Sequence, residues 1–383
     1  MKKNKNFIHY GMQDLNGLHF TNLKKTLKKQ FITNGNICKD FEKSISKLTR
    51  SKYTVVCNNG TSALFMTVLA CNYKNIIAIV PNINFVAISS LITLLKGKII
   101  LCDVNPETGM VDIDSFKKII TSCKKKKIKP NFFFPVHYAG NILDLKEFKE
   151  ICKNNKISII EDGCHSFGSR GKDGNIIGNC KYSLATTFSF HPVKNLTTIE
   201  GGAITTNNKN YYNKLLEIRS HSLKLTNITD PYILPMPSLN FRMGEINAQI
   251  GLDQLSKLET FKKKRLKLVK EYIKKFKVFD KHFKILNDEN QDIFWHLFVI
   301  LLKKNSKLKK NSLMRFLKDN NVGSQIHYKP LHLHNSYKNS ILLKEKKNSL
   351  NFYNSQMTLP LHSLMSIKDI DYIYSLFIKF LKL

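Results

Sequence analysis

Tryptophan occurs once, arginine six times and proline ten times in these 383 residues, and the 62 basic side chains outnumber the 28 acidic ones. Each scarcity excludes something. With so little arginine, the chain is poor in the side chain that reads phosphates and base edges bidentately. No helix-turn-helix, zinc knuckle or aromatic-and-basic RNA motif accompanies the lysines. The formal charge of +34 is therefore read as lysine and asparagine filling tolerant surface positions, not as a nucleic-acid interface. A basic surface still steers an anionic small substrate. The eight cysteines (38, 57, 71, 102, 123, 152, 164 and 180) form no CxxC pair and no metal-ligand spacing, and several lie in apolar runs where a free thiol behaves as a small hydrophobe. No uninterrupted apolar run is long enough to cross a membrane. NIIAIVPNINFVAISSLITLLKGKIILCDV (75–104) is broken by Pro81, Asn82, Asn84, Lys96 and Gly97 into strand, helix and strand lengths. The N-terminal MKKNKNFIHYGMQD has no apolar core of signal-peptide length. The expectation is a reduced, cytoplasmic protein with no metal, membrane or nucleic-acid partner.

What is present is ordinary globular composition, 42% hydrophobic and 23% charged, on a chain long enough for one large and one smaller domain. From residue 53 short apolar strands alternate with amphipathic helices: YTVVC (53–57), a helix near Thr61, IIAIV (76–80), a helix over 85–95, KIILCDV (98–104), a helix from Asp114, NFFFPV (131–136), a helix from Asp144, ISIIED (157–162), LATTFSF (184–190), GAITT (202–206) and a helix over 208–221. This order predicts an α/β domain over 1–250 with a mostly parallel sheet. After a lysine-rich amphipathic segment (252–277), FWHLFVILL (294–302), a helix near 311–320 and a helix from about 367 predict a smaller α+β domain over 251–383.

In such sheets ligands sit beyond the carboxyl ends of the strands, and four features fall there. NNGTSAL (58–64) sets Thr61 and Ser62 at a helix start, either as phosphate donors or as a helix N-cap pair. Asp162 ends an apolar strand; it either faces a protonated ring nitrogen or caps the next turn. In FSFHPVKNLTTIEGG (188–202), Ser189 ends a strand and Lys194 stands alone in apolar surroundings, which weaken its ammonium and make it a usable nucleophile. Phe85 follows another strand, where it either stacks on a ring or joins the core. Taken together, these account for a phosphate, a ring face, a ring nitrogen and an aldehyde.

With the blocks INFVA, CDVNPETGMVD, PVHYAGN, IIEDGCHSFGS, LNFRMGEINAQIGLDQL and IHYKPLHLH, the chain resembles the sugar aminotransferases of the DegT/DnrJ/EryC1/StrS family from FITNG (31–35) to LPLHSL (359–364). The resemblance implies the aspartate aminotransferase-like (type I) fold and pyridoxal 5'-phosphate as cofactor. It makes Lys194 the lysine that joins the cofactor aldehyde and sets Asp162 at the pyridine nitrogen. Thr61, Ser62 and Ser189 hold the phosphate, Phe85 stacks on the ring, and His165 lies near the phenolic oxygen. By the same resemblance Asn240 reaches the neighbouring subunit's cofactor in a homodimer, and Arg242, His327 and Tyr328 contact a nucleotide-sugar substrate. L-Glutamate is the implied amino donor. SFHPVK, CKYS (180–183) and RSH (219–221) are most similar to a branch that transaminates UDP-linked 4-keto-6-deoxy-N-acetylhexosamines on the way to pseudaminic acid. Another nucleotide keto-sugar, of the perosamine or 4-amino-arabinose type, and a non-catalytic protein of the same fold are the alternatives. Related sugar 3-dehydratases carry His at the lysine position, so Lys194 argues against that activity. Two departures stand out: Ile199 replaces the first glycine of the family's GEGG, and TNITDPYILPMP (226–237) is short beside the substrate site.

Overall fold

The computed structural model describes residues 6–29, 31–171, 174–226, 232–288 and 292–382. Helices α1 (Phe20–Leu27) and α2 (Asn36–Thr49) precede β1 (Tyr53–Cys57), α3 (Gly60–Cys71), β2 (Ile77–Pro81), α4 (Ala87–Leu94) and β3 (Lys98–Cys102). Next come α5 (Ile113–Lys125), β4 (Phe132–Phe133), α6 (Lys146–Asn154), β5 (Ser158–Asp162), β6 (Ala185–Ser189), β7 (Gly202–Thr206) and α7 (Lys209–Arg219). A short hairpin, β8 (Lys224–Leu225) and β9 (Tyr232–Ile233), leads to α8 (Glu245–Leu255) and α9 (Leu258–Phe276). The remainder is β10 (Phe283–Ile285), β11 (Phe298–Leu302), α10 (Lys310–Asp319), β12 (Ile341–Lys344), α11 (Lys347–Ser355), β13 (Gln356–Leu359) and α12 (Ile367–Leu381).

The large sheet runs β1-β7-β6-β5-β4-β2-β3-β12. Every pairing is parallel except those of β7, which runs against both β1 and β6. Side chains alternate across a sheet buried on both faces. Val55, Val80, Leu101 and Ile160 point into one core with α3, α4 and α7. Ile79, Ile100, Phe133 and Ile159 point into another with α5 and α6, and Val56, Phe188 and Ala203 face α2 and α8. The strand expected over 131–136 is only two residues long, because Pro135 has no N–H to give to a ladder. The lysine-rich segment divides at Ser256–Lys257 into α8 and α9. β12 comes from beyond residue 250 yet pairs with β3 at the edge of the large sheet.

A second sheet, β10-β11-β13, is antiparallel. It packs through Phe298, Ile300, Met357 and Leu359 onto Tyr272, Phe276 and Phe279 and onto Ile370, Ile373 and Phe377 of α12. No helix among the described residues is long and apolar enough to cross a membrane.

Between β6 and β7 the chain reverses through Thr197–Gly201. Ile199, in the place of the family's glycine, has φ 70°, the left-handed conformation that a β-branched side chain resists. Hydrogen bonds hold it there: the Ile199 N–H donates to Thr197 Oγ1 at 3.0 Å, and the Asn247 amide donates to the Thr198 and Glu200 carbonyls at 2.8 and 3.1 Å. Ile199→Gly is expected to raise stability by about 1 kcal/mol, the relief of strain exceeding the added chain entropy. The midpoint of denaturant unfolding checks this.

Candidate active site

The ends of β1, β6 and β7 meet with almost no side chain between them. The register sets Gly202 opposite both Cys57 and Ser189. A Cβ on Gly202 would lie 2.4 Å from the Asn59 carbonyl oxygen, and one on Gly60 would lie 2.6 Å from Ser189 Cβ. Bare backbone at both positions lets Ser189 approach the first turn of α3. Asn59 is the helix cap, its Oδ1 accepting the Ser62 N–H at 2.8 Å. This corrects the reading of Thr61 and Ser62 as the capping pair: both are already inside the helix, with Ser62 buried and Thr61 exposed. Helix geometry leaves the Gly60 and Thr61 N–H groups without intrahelical acceptors. Together with the positive end of the helix dipole, they form an anion cradle beside Ser189.

Asp162 is buried at the end of β5. Its Oδ1 accepts the Cys164 N–H at 3.0 Å, so the turn-capping contact is present. The Lys194 ammonium interacts electrostatically with this carboxylate and with Cys164 without forming an ion pair. Burial lowers the Lys194 pKa, and the two acidic neighbours only partly offset it. Cys164 is driven the other way, its thiol pushed well up by burial and then by Asp162. The Lys194 backbone is set by a turn at Pro192, with its N–H donating to the His191 carbonyl at 2.9 Å.

His165 continues the constellation. Its Nδ1 lies 3.4 Å from the Ala139 N–H, and its Nε2 lies 2.9 Å from the Tyr328 hydroxyl. A backbone N–H can only donate, so Nδ1 accepts and the ring proton is on Nε2, which donates to Tyr328. Burial, then the Lys194 charge, holds His165 neutral with a pKa well below its ordinary value. Tyr328 is 5.7 Å from the Phe85 ring, centroid to centroid. Phe85 is 53% exposed, which removes it from the core. His327, joined to Tyr328 by a cis peptide, is fixed by Thr358 Oγ1 at 2.9 Å and by the Tyr138 hydroxyl donating to its carbonyl at 2.6 Å. Burial and Lys194 lower its pKa to about 3.

Asn240 and Arg242 lie at the rim. Asn240 is exposed, and its Oδ1 accepts the Arg242 N–H at 3.1 Å. Between them the Phe241 carbonyl accepts the Asn58 N–H at 2.9 Å, which ties this block to the cradle of the same chain. Residues 227–231 of TNITDPYILPMP lie outside the described residues. Among the described residues no group of His, Cys, Asp and Glu could hold a metal ion.

Three supporting residues escaped the sequence reading. Asn82, fully buried after β2, holds the 331–332 turn and the chain at Glu345: its carbonyl accepts the Leu331 N–H at 2.9 Å, its Oδ1 meets His332 Nδ1 at 3.0 Å, and its amide donates to the Glu345 carbonyl at 3.0 Å. His296 packs 4.5 Å from the His165 ring, hidden in the sequence within an apolar strand signal. His137 accepts the Leu143 N–H on Nδ1 at 3.0 Å and reaches Glu161 from Nε2 at 2.8 Å, a buried pair directly behind Asp162. A polar residue inside an apolar run was the available signal for each.

The chain is similar in sequence and fold to known proteins. The UDP-4-amino-4,6-dideoxy-N-acetyl-beta-L-altrosamine transaminase of Campylobacter jejuni subsp. jejuni is 28% identical over 366 residues, covering 96% of this chain and 95% of that protein. The PMP-form structure of the putative sugar aminotransferase Spr1654 from Streptococcus pneumoniae superimposes with a TM-score of 0.87 at 26% identity, covering 97% of this chain and 98% of that one. Helicobacter pylori PseC, an aminotransferase of pseudoaminic acid biosynthesis, shares the fold with a TM-score of 0.89 at 24% identity, over 98% and 99% of the two chains. The family match itself runs from residue 14 to 377, through the cradle, the lysine loop and the second sheet. The chain therefore belongs to the DegT/DnrJ/EryC1/StrS aminotransferase family, and its cofactor is pyridoxal phosphate.

Proposed function

We propose that this chain moves the amino group of L-glutamate onto a UDP-linked 4-keto-6-deoxy sugar, as a cytoplasmic homodimer. The observation that carries the reading is the half-buried Lys194, held near but not paired with Asp162, beside an anion cradle built from bare backbone. These residues fit the cofactor. The Gly60 and Thr61 N–H groups, Thr61, Ser62 and Ser189 would hold its phosphate, and Phe85 would cover its ring. When bound, pyridoxal phosphate supplies an aldehyde for the amine and a ring that takes up electron density. Asp162 would hold a proton on its ring nitrogen. Lys194, its ammonium already weakened by burial, moves the proton at the substrate carbon. His165 donates from Nε2 to Tyr328 and so keeps that phenol aimed into the site. Arg242, His327 and Tyr328 would face the nucleotide sugar. The sugar class rests on what the Campylobacter relative is named for.

Two further proposals concern the assembly. A division near residue 250 is supported by the core of the second sheet with α9 and α12, while Leu258, Phe261 and Phe294 pack with α2 and β12 joins the large sheet. A second copy of the chain is supported by large apolar side chains exposed on α1 and near the hairpin, among them Phe20, Leu27, Tyr232, Leu234 and Leu239, close in sequence to Asn240.

Lys194→Ala is expected to lower turnover by at least about a thousandfold while the fold persists; substantial residual turnover would remove the lysine from its role. The apo-protein offers an independent reading. A lysine whose pKa is depressed by folding weakens the native state fully below the folded pKa and not at all above about 10.4, the unfolded value. The stability of Lys194→Ala relative to wild type should therefore be greatest near neutral pH and shrink as pH rises through that window, as measured by denaturant unfolding across pH. Gly202→Ala, with its Cβ driven against Asn59, should weaken cofactor binding by about tenfold or more, read by titrating apo-protein with pyridoxal phosphate. Light scattering should return about twice 44.2 kDa for the assembly, and a monomer would place Asn240 outside any shared site.

A further inference from the structure

Among the lysines of α9 stands one arginine, Arg265, and it is only 2% exposed. Its Nη1 donates to three backbone carbonyls, those of Trp295 at 3.3 Å, His296 at 3.2 Å and Leu361 at 3.2 Å. Its guanidinium carbon lies 5.9 Å from the centre of the Phe294 ring. Among the described residues no carboxylate forms an ion pair with it. Burial lowers its pKa to about 10, and Asp14 offsets this only through its charge. A buried cation without an anionic partner is far costlier than an apolar side chain of the same size. What Arg265 contributes is therefore its hold on the carbonyls.

The segment so held runs into the site. The Phe294 carbonyl accepts the side-chain amide of Asn195 at 2.7 Å. Asn195 follows Lys194 directly and is buried, and its Oδ1 has no partner among the described residues. On the same segment the His296 and Leu297 N–H groups donate to the Ala139 carbonyl at 3.0 and 3.3 Å. The segment packs on the bare backbone of Gly140, where an added Cβ would meet the Phe294 carbonyl oxygen at 2.9 Å. Residues 294–296 thus form a bridge, with Arg265 at one end and the lysine loop at the other. Among the described residues the other hydrogen bonds of residues 191–197 stay within 190–199. The bond from Asn195 reaches 99 residues along the chain.

We propose that Arg265 is a positioning residue for Lys194, fixing its amine through the 294–296 backbone and the Asn195 amide. This rests on the reading of Lys194 as the amine that joins the cofactor. A lysine carries its nitrogen on a long flexible stem, so the place of that nitrogen depends on how firmly the backbone beneath it is held. A displacement of about 1 Å from the reacting geometry can cost on the order of a hundredfold in rate. Loss of one tie, with the loop's own bonds left in place, should cost less than that. The anion cradle is built from α3 and Ser189, away from this bridge, so the effect should fall on the amine and not on the phosphate site.

The test separates placement of the amine from binding of the cofactor. Apo-protein is titrated with pyridoxine 5'-phosphate, which has the phosphate and the ring but no aldehyde. It is also mixed with pyridoxal phosphate, where the amine adds to the aldehyde, water leaves and a C=N bond forms. Borohydride reduces that bond, and mass spectrometry identifies the modified residue. Arg265→Met and Asn195→Ala are each expected to slow attachment about tenfold, while affinity for pyridoxine 5'-phosphate changes by less than about twofold. The two substitutions cut one tether at its two ends, so the double variant should be slowed by about as much as either alone. Slowing of about a hundredfold in the double variant, the product of independent effects, overturns the assignment. So does pyridoxine 5'-phosphate affinity that falls in step with attachment. Should Arg265→Met fail to fold, Asn195→Ala carries the test, and attachment at the wild-type rate in that variant overturns the proposal. All of these outcomes leave the role of Lys194 standing. A wild type that binds pyridoxine 5'-phosphate but is modified at a residue other than Lys194 overturns the lysine reading, and the Arg265 assignment with it.

Discussion

The site depends on one reversed strand. Six neighbours in the large sheet run parallel to one another and β7 runs against the two it touches, which carries its first residue, Gly202, to the edge where β1 and β6 end. Only a residue without a side chain fits there, since any Cβ would meet the backbone of Asn59 and Gly60. That contact closes the gap between the first turn of α3 and Ser189. An ordinary parallel crossover would place a strand's carboxyl end at this point, with its own turn filling the space. Because a strand start lies there instead, the helix N-terminus keeps its N–H groups open to an anion.

Burial then sets the charge states. The chain carries +34, yet three buried histidines near Lys194, His165, His296 and His327, have their pKa values lowered, first by burial and further by the Lys194 charge. A ring tautomer is defined where a backbone N–H occupies one nitrogen, as at Nδ1 of His165 and His137. Lys194 is the group nearest to charged among them, and Asp162 and Cys164 are the neighbours that favour its ammonium. Among the described residues Lys194, Asp162, His165, His296 and His327 are not held in ion pairs with one another.

Much of this was legible in the sequence, and the legible part has a common character. Val55, Ile79, Ile100 and Ile160 announce buried strands because a sheet covered on both faces needs unbroken apolar runs. Ser189 and Lys194 are conspicuous because polar residues at the ends of such runs have to be explained. Asn59 was passed over because the hydroxyls of Thr61 and Ser62 competed for the same role, and only the helix start at Gly60 decides between them. The position of β12 could not be read at all: a four-residue strand far along the chain carries no sign of the sheet it joins, and its pairing with β3 is a long-range choice made by packing. The role of Arg265 was hidden for the same reason. Nothing around FKKKRLK indicates that residue 265 lies against residues 295, 296 and 361.

These cases explain why one lysine stands out among so many. Lys263, Lys267, Lys270 and Lys274 recur on α9 at helical spacing and are exposed, where water supports an ammonium and nothing selects its state. Lys194 lies on a non-helical loop whose course is dictated by Pro192 before it, by Thr197 and Asn247 around it, and by Gly201 and Gly202 after it. Ile199 shows how strongly that course is imposed, since the chain takes a left-handed turn there even at a β-branched residue. The loop that carries the lysine and the strand that shapes the anion cradle are therefore one continuous segment, 190–206. Moving one moves the other, so the amine and the phosphate site stay in fixed relation through the backbone itself.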